Sequence, residues 1–332
     1  MLKIKKLLKS SNNIAIFGHE NIDWDCIWSM LGLWSLLEKQ WKKISYFTPN
    51  QPSKLFKFIK SISKIKTKFD YSKYDLLIFT DFTWYHRIPQ FTQNREKYFD
   101  DSQLIIIDHH QEDNPPSNAL LIKDINATSN CEIIFETTYR RRKNYYDPSI
   151  ATYLYLWLST DSWNFRFDQG QQTPRIFTNA LKLIKLWADK KLIIDNIFRS
   201  KSFEAVQFMQ NLLSRMILKN NILYTYFTQD ELLSSQIDEE EAVYAQIIMQ
   251  DIIWPQFICV FKVFPDHIKW SLRANSISSD GQSHQDQVDC RKIANIFGGW
   301  WHKSAAWFKI KLQSKNFKKQ IDQIINQMQI DF

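Results

Sequence analysis

Asn13-Ile-Ala-Ile-Phe17-Gly18-His19-Glu-Asn-Ile-Asp23-Trp24-Asp25 starts as an apolar run and ends among groups that seek metal. A short continuous apolar run suits a strand buried on both faces, and an imidazole and two carboxylates directly after it suit a strand end that handles a ligand. The same grammar recurs downstream. Lys43-Ile-Ser-Tyr-Phe47 is a second run, Asp75-Leu-Leu-Ile-Phe79 leads into Thr80-Asp81, and Gln103-Leu-Ile-Ile-Ile107 leads into Asp108-His109-His110. Helix-period segments lie between the runs, from Ser29 to Gln40 and from Pro52 to Ser61. This alternation predicts an α/β fold, a mostly parallel sheet wrapped by helices. Asn118 to Ile122 reads as a fifth strand and Ser129 to Arg142 as a further helix. That helix closes on Arg140-Arg-Arg-Lys143, a solvated end favoured by the helix dipole rather than a binding patch.

Two more helical stretches, Pro148 to Leu158 and Pro174 to Trp187, flank a loop holding Asp161. A polar, helix-prone connector covers residues 189–220. Beyond it, Asp238-Glu-Glu-Glu241 opens a helix, Phe257 to Phe264 and His267 to Arg273 read as strands, and Gln287 to Phe297 as a helix. The expected division is a catalytic domain over 1–188, the connector over 189–220, and a second, smaller α+β domain over 221–332.

With 332 residues, 44% hydrophobic and 23% charged, the composition is that of a globular protein with room for two domains. The net charge of +8 suits a polyanionic substrate but is weak evidence taken alone. Cys26, Cys131, Cys259 and Cys290 lie far apart without a C-x-x-C pair, which argues against a thiolate zinc site or a disulfide framework. The charged start lacks the apolar core of a signal peptide, and no run approaches a membrane span. A cytoplasmic protein without membrane attachment is expected.

One compositional oddity bears on chemistry. The chain has 13 tryptophans and 6 glycines, where average usage gives roughly 23 glycines. Trp24, Trp163, Trp300 and Trp301 stand in loops where backbone should come close to an anion and a Cβ is in the way. The surplus and the matching deficit together predict that many of these tryptophans are glycines in the natural host, from UGA codons read as glycine. A Trp-rich core explains only the surplus.

In an open parallel sheet, ligands bind beyond the carboxyl ends of the strands, so the acids and imidazoles at 19–25, 81 and 108–110 converge on one edge. Crowded carboxylates and imidazoles repel and desolvate badly unless cations sit among them. An oxygen and imidazole set without thiolates favours manganese-like divalent ions. Each residue alone has an ordinary reading as cap or turn former; three strand ends together make coincidence a poor account.

The set His19-x-x-x-Asp23-Trp-Asp25-x-x-Trp28-Ser29, Asp81, Asp108-His109-His110 and Thr160-Asp161-Ser162-Trp163 resembles the motifs of the DHH phosphoesterase superfamily. Ser271-Leu-Arg273 and Gly298-Gly-Trp-Trp-His302-Lys-x-Ala305-Ala306-Trp307-Phe308 are similar to its associated C-terminal domain. The ordered set covers nearly the whole chain, in the plan of the bifunctional oligoribonuclease and phosphoadenosine-phosphate phosphatase group. At positions 24, 28, 163, 300, 301 and 307 the family pattern has glycine where this chain has tryptophan; 41, 157 and 187 look like further such positions.

The resemblance implies two divalent cations, manganese first. One would be held by His19, Asp23 and Asp81, the other by Asp25, Asp81, His109 and Asp161, with Asp81 bridging. Asp108 would orient an imidazole, and His110 would face the scissile phosphate. Arg273, Gly298, Gly299 and His302 would bind substrate phosphate. The implied substrates are short oligoribonucleotides or a nucleoside bisphosphate, and a homodimer is left open. The alternatives are a cyclic or linear dinucleotide phosphodiesterase and, if the tryptophans are genuine, an inactive phosphate-binding homologue. For Trp24 the expectation is a sharp, crowded turn between two metal-binding acids.

Overall fold

The computed structural model describes residues 2–328 apart from 21, 111–114, 163, 166–172, 243, 254, 276–288, 299, 303–304 and 314–315. The chain divides into two compact units, Met1–Ser200 and Lys201–Phe332. The stretch 189–220 is shared between them. It forms a short helix Lys190–Ile193, a π turn Ile194–Phe198, a helix Phe203–Ser214 and a strand Ile217–Lys219.

In the first unit the apolar runs become β1 (Asn13–Phe17), β2 (Lys43–Phe47), β3 (Leu76–Thr80), β4 (Leu104–Asp108) and β5 (Ala119–Lys123). They pair all-parallel in the order β2-β1-β3-β4-β5. The period of two assigns each face its own core. Ile14, Ile16, Ile78, Ile105 and Ile107 pack under the helices Trp24–Glu38, Asn130–Arg142 and Pro148–Asp161. Ala15, Phe17, Leu77, Phe79, Leu104 and Ile106 meet a second, aromatic layer built on Phe47, Phe91 and Phe99. Full burial of both faces explains why these strands read as continuous apolar runs and not as alternations.

Two local expectations are corrected. Residues 52–61 do not form an α-helix; Lys54–Phe56 and Lys60–Lys64 are 3-10 turns. The apolar residues there, Phe56, Ile59, Ile62 and Ile65, recur every third position, and Ile59, Ile62 and Ile65 each donate N–H to the carbonyl three residues back. A period of three is the 3-10 repeat, not the α repeat. The helix expected from Ser29 begins at Trp24, because the Asp23 carboxylate accepts the Cys26 N–H and caps it.

The second unit holds β6 (Ile217–Lys219), β7 (Ile222–Thr228), β8 (Phe257–Val263), β9 (His267–Ala274), β10 (Trp300–His302) and β11 (Ala305–Lys311). Their order is β10-β11-β9-β8-β7-β6, antiparallel except for the parallel pair β7 and β8. Buried side chains lie on both faces, around Phe261, Trp270 and Phe308 on one and Leu223, Phe227 and Ile258 on the other. This is the smaller α+β body that the change of character in the sequence predicts.

Candidate active site

The strand order reverses direction between β1 and β3, and in doubly wound sheets of this order ligands bind at that switch point. β1 there runs into Gly18 and His19, and β3 into Asp81. Gly18 passes so close to the helix Trp24–Glu38 that a Cβ would stand 2.4 Å from Met30 Sδ and 2.8 Å from Cys26 Sγ. His19 is buried, and its Nδ1 donates to the Glu20 carbonyl at 2.7 Å. That bond turns Nε2 toward the acids, 3.5 Å from Asp81 Oδ2 and 3.8 Å from Asp23 Oδ1.

His109 uses the same device. Its Nδ1 donates to the Ala127 carbonyl at 3.3 Å, which leaves Nε2 3.4 Å from Asp81 Oδ1 and 3.8 Å from Asp25 Oδ2. Asp25 is itself fixed from behind. Its two oxygens accept the N–H groups of Asn130 at 2.7 Å and Cys131 at 3.1 Å. Those donors are the free first-turn amides of the helix Asn130–Arg142, whose cap is Ser129.

Asp81 therefore stands between two imidazoles and offers one oxygen to each. It is buried, its Oδ1 makes no hydrogen bond, and its backbone sits at φ +68°. The left-handed region is rare for a residue with a side chain, although Asp tolerates it better than most, and such strain concentrates at functional sites. Two triads result: His19 Nε2, Asp23 Oδ1 and Asp81 Oδ2; and His109 Nε2, Asp25 Oδ2 and Asp81 Oδ1. Among the described residues, the sets whose ligand atoms all lie within 4.8 Å of one another, and so could hold an ion, are His19, Cys26 and Asp81, and Asp81, His109 and His110; Asp23 and Asp25 stand further out.

Asp108 has a different role from the other acids. It is buried, accepts the N–H of His109 at 2.9 Å and the Thr83 hydroxyl at 2.5 Å, and holds His110 Nδ1 at 2.7 Å. Its Oδ1 thus takes three N–H donors and holds His110 in place, while Oδ2 takes the Thr83 hydroxyl.

The electrostatics call for positive charge. Burial pushes Asp25 up to about 7, and the Asp81 carboxylate adds repulsion. Burial also opposes charge on His109, but Asp81 and Asp25 outweigh it and push the imidazole up to about 10. Asp81 resists burial and is held well below the usual carboxylate range by His109 and His19. A divalent cation would answer the same demand in place of the imidazole protons.

Cys26 is the neighbour the sequence reading missed. Its Sγ lies within 4.8 Å of ligand atoms of His19 and Asp81. Burial raises its thiol, with His19 opposing, and the thiol donates to the Thr80 carbonyl at 3.5 Å. Only its place beside Asp25 on the capped helix could have revealed it, since no spacing of cysteines marks it.

Asp161 is the last residue of the helix Pro148–Asp161, but its side chain lies outside the described residues. In the second unit, Arg273 is the next-to-last residue of β9, in register with Ala305, and its Nη1 donates to the Leu272 carbonyl at 3.1 Å. Gly298 takes φ +68° with open space around it. Gly299 and the His302 side chain are outside the described residues.

The turn expected at Trp24 is corrected. Trp24 is an ordinary first helical residue, and its indole packs on Phe56, ring centroids 4.4 Å apart, and stacks on Trp28 at 6.0 Å. The backbone strain between the acids sits at Asp81 instead. Trp163 is outside the described residues, as are the side chains of Trp300 and Trp301; Trp307 lies half-exposed on β11.

Residues 13–157 match the model of the DHH family, N-terminal domain. This region is a DHH family domain. The whole chain is similar to the bifunctional oligoribonuclease and PAP phosphatase NrnA of Mycoplasma genitalium, 22% identical over 96% of this chain and 93% of that protein. In structure it is similar to an exopolyphosphatase-related protein from Bacteroides fragilis, with a TM-score of 0.81 and 20% identity over 98% of this chain and 95% of that one. That likeness shows a shared two-unit fold. No helix among the described residues is long and apolar enough to cross a membrane.

Proposed function

We propose that this DHH family protein is a hydrolase that cleaves phosphoester bonds in very short oligoribonucleotides and removes the 3′-phosphate of phosphoadenosine phosphate. The observation that carries the reading is Asp81, a buried carboxylate with one oxygen turned to each of two imidazole–carboxylate pairs and with Oδ1 lacking a hydrogen bond. The similarity to the Mycoplasma genitalium protein along almost the entire chain supports the substrate class.

On this reading two divalent ions, manganese first, are held by His19, Asp23 and Asp81, and by Asp25, Asp81, His109 and Asp161. Such ions supply Lewis acidity toward phosphate and a nucleophile at neutral pH. The chain does the rest. The Glu20 and Ala127 carbonyls fix the two imidazoles, and the amides of Asn130 and Cys131 fix Asp25. His110, steadied by Asp108, donates a hydrogen bond to charge developing on the phosphoryl oxygens. Arg273, Gly298, Gly299 and His302 bind substrate phosphate, Arg273 by its planar fork.

The test is turnover of di- to pentaribonucleotides and of phosphoadenosine phosphate with Mn²⁺, Mg²⁺ or Zn²⁺, followed by chromatography of products. Mononucleotides released with Mn²⁺ are expected. Hydrolysis of cyclic or linear dinucleotides alone would move the assignment to a dinucleotide phosphodiesterase, and no hydrolysis with any ion would leave a phosphate-binding homologue.

A further inference from the structure

Residues 51–73 carry seven lysines against a single acid, Asp70. Of these, Lys66 bridges to Phe47 of β2, the outermost strand of the parallel sheet. There Lys43, Lys66, Lys68 and Lys73 line a hollow of about 520 Å³ floored by Ile44 and Phe47. The one acid is already spent: Asp70 pairs with Lys73 at 2.6 Å and accepts the Ser72 N–H and hydroxyl. The Lys66 ammonium is steadied by Ser45 Oγ at 3.2 Å, whereas the Lys43 and Lys68 ammonium groups make no hydrogen bond or ion pair among the described residues.

We propose that this hollow binds the phosphodiester backbone of single-stranded RNA, away from the acids. The proposal rests on the reading that the substrate is RNA. Lysine ammonium groups are point charges suited to phosphate, and several converging on one concavity gain by releasing counterions from a polyanion. Protection of an edge strand accounts for charges on and beside β2, but not for Lys68 and Lys73, which stand off the strand and line the same hollow. The one further ring in its lining, Tyr74, has one face taken by Phe69, stacked at 5.2 Å, and lysines dominate the polar lining. Recognition is therefore of backbone, without sequence preference. A concave site floored by half-buried Ile44 and buried Phe47 also differs from the flat, apolar-anchored face that a membrane surface requires.

Asn13 and Lys43 place part of the hollow at the amino ends of β1 and β2, while His19 follows the carboxyl end of β1. Six residues at about 3.3 Å each put the Lys43 end about 20 Å from His19, whereas Phe47 and Lys66 carry the hollow along β2 to its carboxyl end. A dinucleotide held by the acids does not reach Lys43, so loss of charge at that end leaves dinucleotide hydrolysis alone.

The experiment compares the full chain with K43E/K68E and the milder K43A/K68A. Fluorescence anisotropy of a labelled dodecaribonucleotide is read in EDTA over a salt series, beside Mn²⁺-dependent hydrolysis of a dinucleotide. Charge reversal is expected to weaken dodecamer binding about tenfold near 0.1 M salt and to flatten the log–log salt slope by about 1.4, as loss of two single-strand phosphate contacts requires. Dinucleotide turnover should stay within about twofold of the parent, which also certifies the fold. Unchanged dodecamer affinity alongside normal dinucleotide turnover overturns the proposal. So does loss of binding to phosphatidylserine vesicles with RNA affinity intact. If no variant or parent hydrolyses any dinucleotide, the catalytic reading fails, and the anisotropy series still decides the hollow.

Discussion

Among the buried polar atoms without partners in the described residues, two cases mean different things. At the strand ends, Asp81 Oδ1 has no hydrogen bond, yet His109 Nε2 stands 3.4 Å away and His110 Nδ1 3.9 Å away. Two imidazoles face that orphan, and one of them, His110, is already held by Asp108. In the helices Trp24–Glu38 and Pro148–Asp161, the indole N–H groups of Trp28 and Trp157 are also buried and unpartnered. Trp28 is stacked on Tyr153 at 6.0 Å, so its ring is well packed while its one donor faces nothing. Leaving a donor so costs about 1–3 kcal/mol. An orphan among imidazoles and carboxylates sits in a group that could hold a cation; an orphan among rings belongs to a side chain whose polar end the fold has no use for.

The comparison breaks most decisively at Asp81. Asp81→Asn keeps the shape and tolerates φ +68°, but it takes a charge from both triads at once. Turnover should fall by about 10³-fold or more, with titration calorimetry showing loss of Mn²⁺ binding and the melting temperature little changed. Parent-like turnover at limiting Mn²⁺ would falsify the bridging role.

A fully partnered buried charge supplies the control. Glu132 is buried, with Thr128, Asn179 and Arg175 around it, and Arg175 also holds Glu136 at 2.7 Å and Asp124 at 3.0 Å. Here nothing is missing, so Arg175→Ala should reveal a structural debt: about 2–3 kcal/mol of stability in urea unfolding. The loosened helix start behind Asp25 should follow as weaker Mn²⁺ binding. A change below about 0.5 kcal/mol would show the network to be ornamental.

Asp108→Asn tests the acid whose oxygens are already taken. It should lower turnover about 10- to 100-fold, the usual cost of losing a group that orients another, while Mn²⁺ affinity changes less than in the Asp81 variant. Equal losses of affinity in the two variants would make Asp108 a ligand after all.

These contrasts also show where the sequence could be read. The parallel sheet was legible because β3 and β4 are buried at every position, and the acids because they follow strand ends. The stretch from Pro52 was misread because a period of three is close enough to 3.6 over a few residues to pass for it. Strain was expected at Trp24, but Asp23 caps a helix there and relieves the backbone; the strained residue is Asp81, and nothing in Thr80-Asp81-Phe82 signals a positive φ. Cys26 escaped because a lone cysteine carries no ligand spacing. The phosphate loop of the second unit was legible only as a motif, and much of it lies outside the described residues.

The smallest expected effect concerns two tryptophans whose backbone and side chain disagree. Trp41 and Trp187 sit just past the ends of helices at φ +63° and +65°, with their indoles 95% and 81% exposed. At Trp187 the amide donates to Ile184 O and the next amide, of Ala188, to Leu183 O, the paired bonds of a Schellman end. That end wants a left-handed residue, usually glycine, because a Cβ there costs about 1 kcal/mol or more. The exposed indoles bury too little apolar surface to offset this. Trp41→Gly and Trp187→Gly should therefore each raise stability by about 1 kcal/mol, close to additively since they close different helices, whereas Trp28→Gly should gain less, because it trades an orphaned donor for a cavity. Peptides from the natural host should then carry glycine at 41 and 187, as at 24, 28, 163, 300, 301 and 307. Tryptophan in those peptides, or UGG at those codons, would turn the argument around: the strained helix ends would be real, and the protein would hold them at a measurable loss of stability.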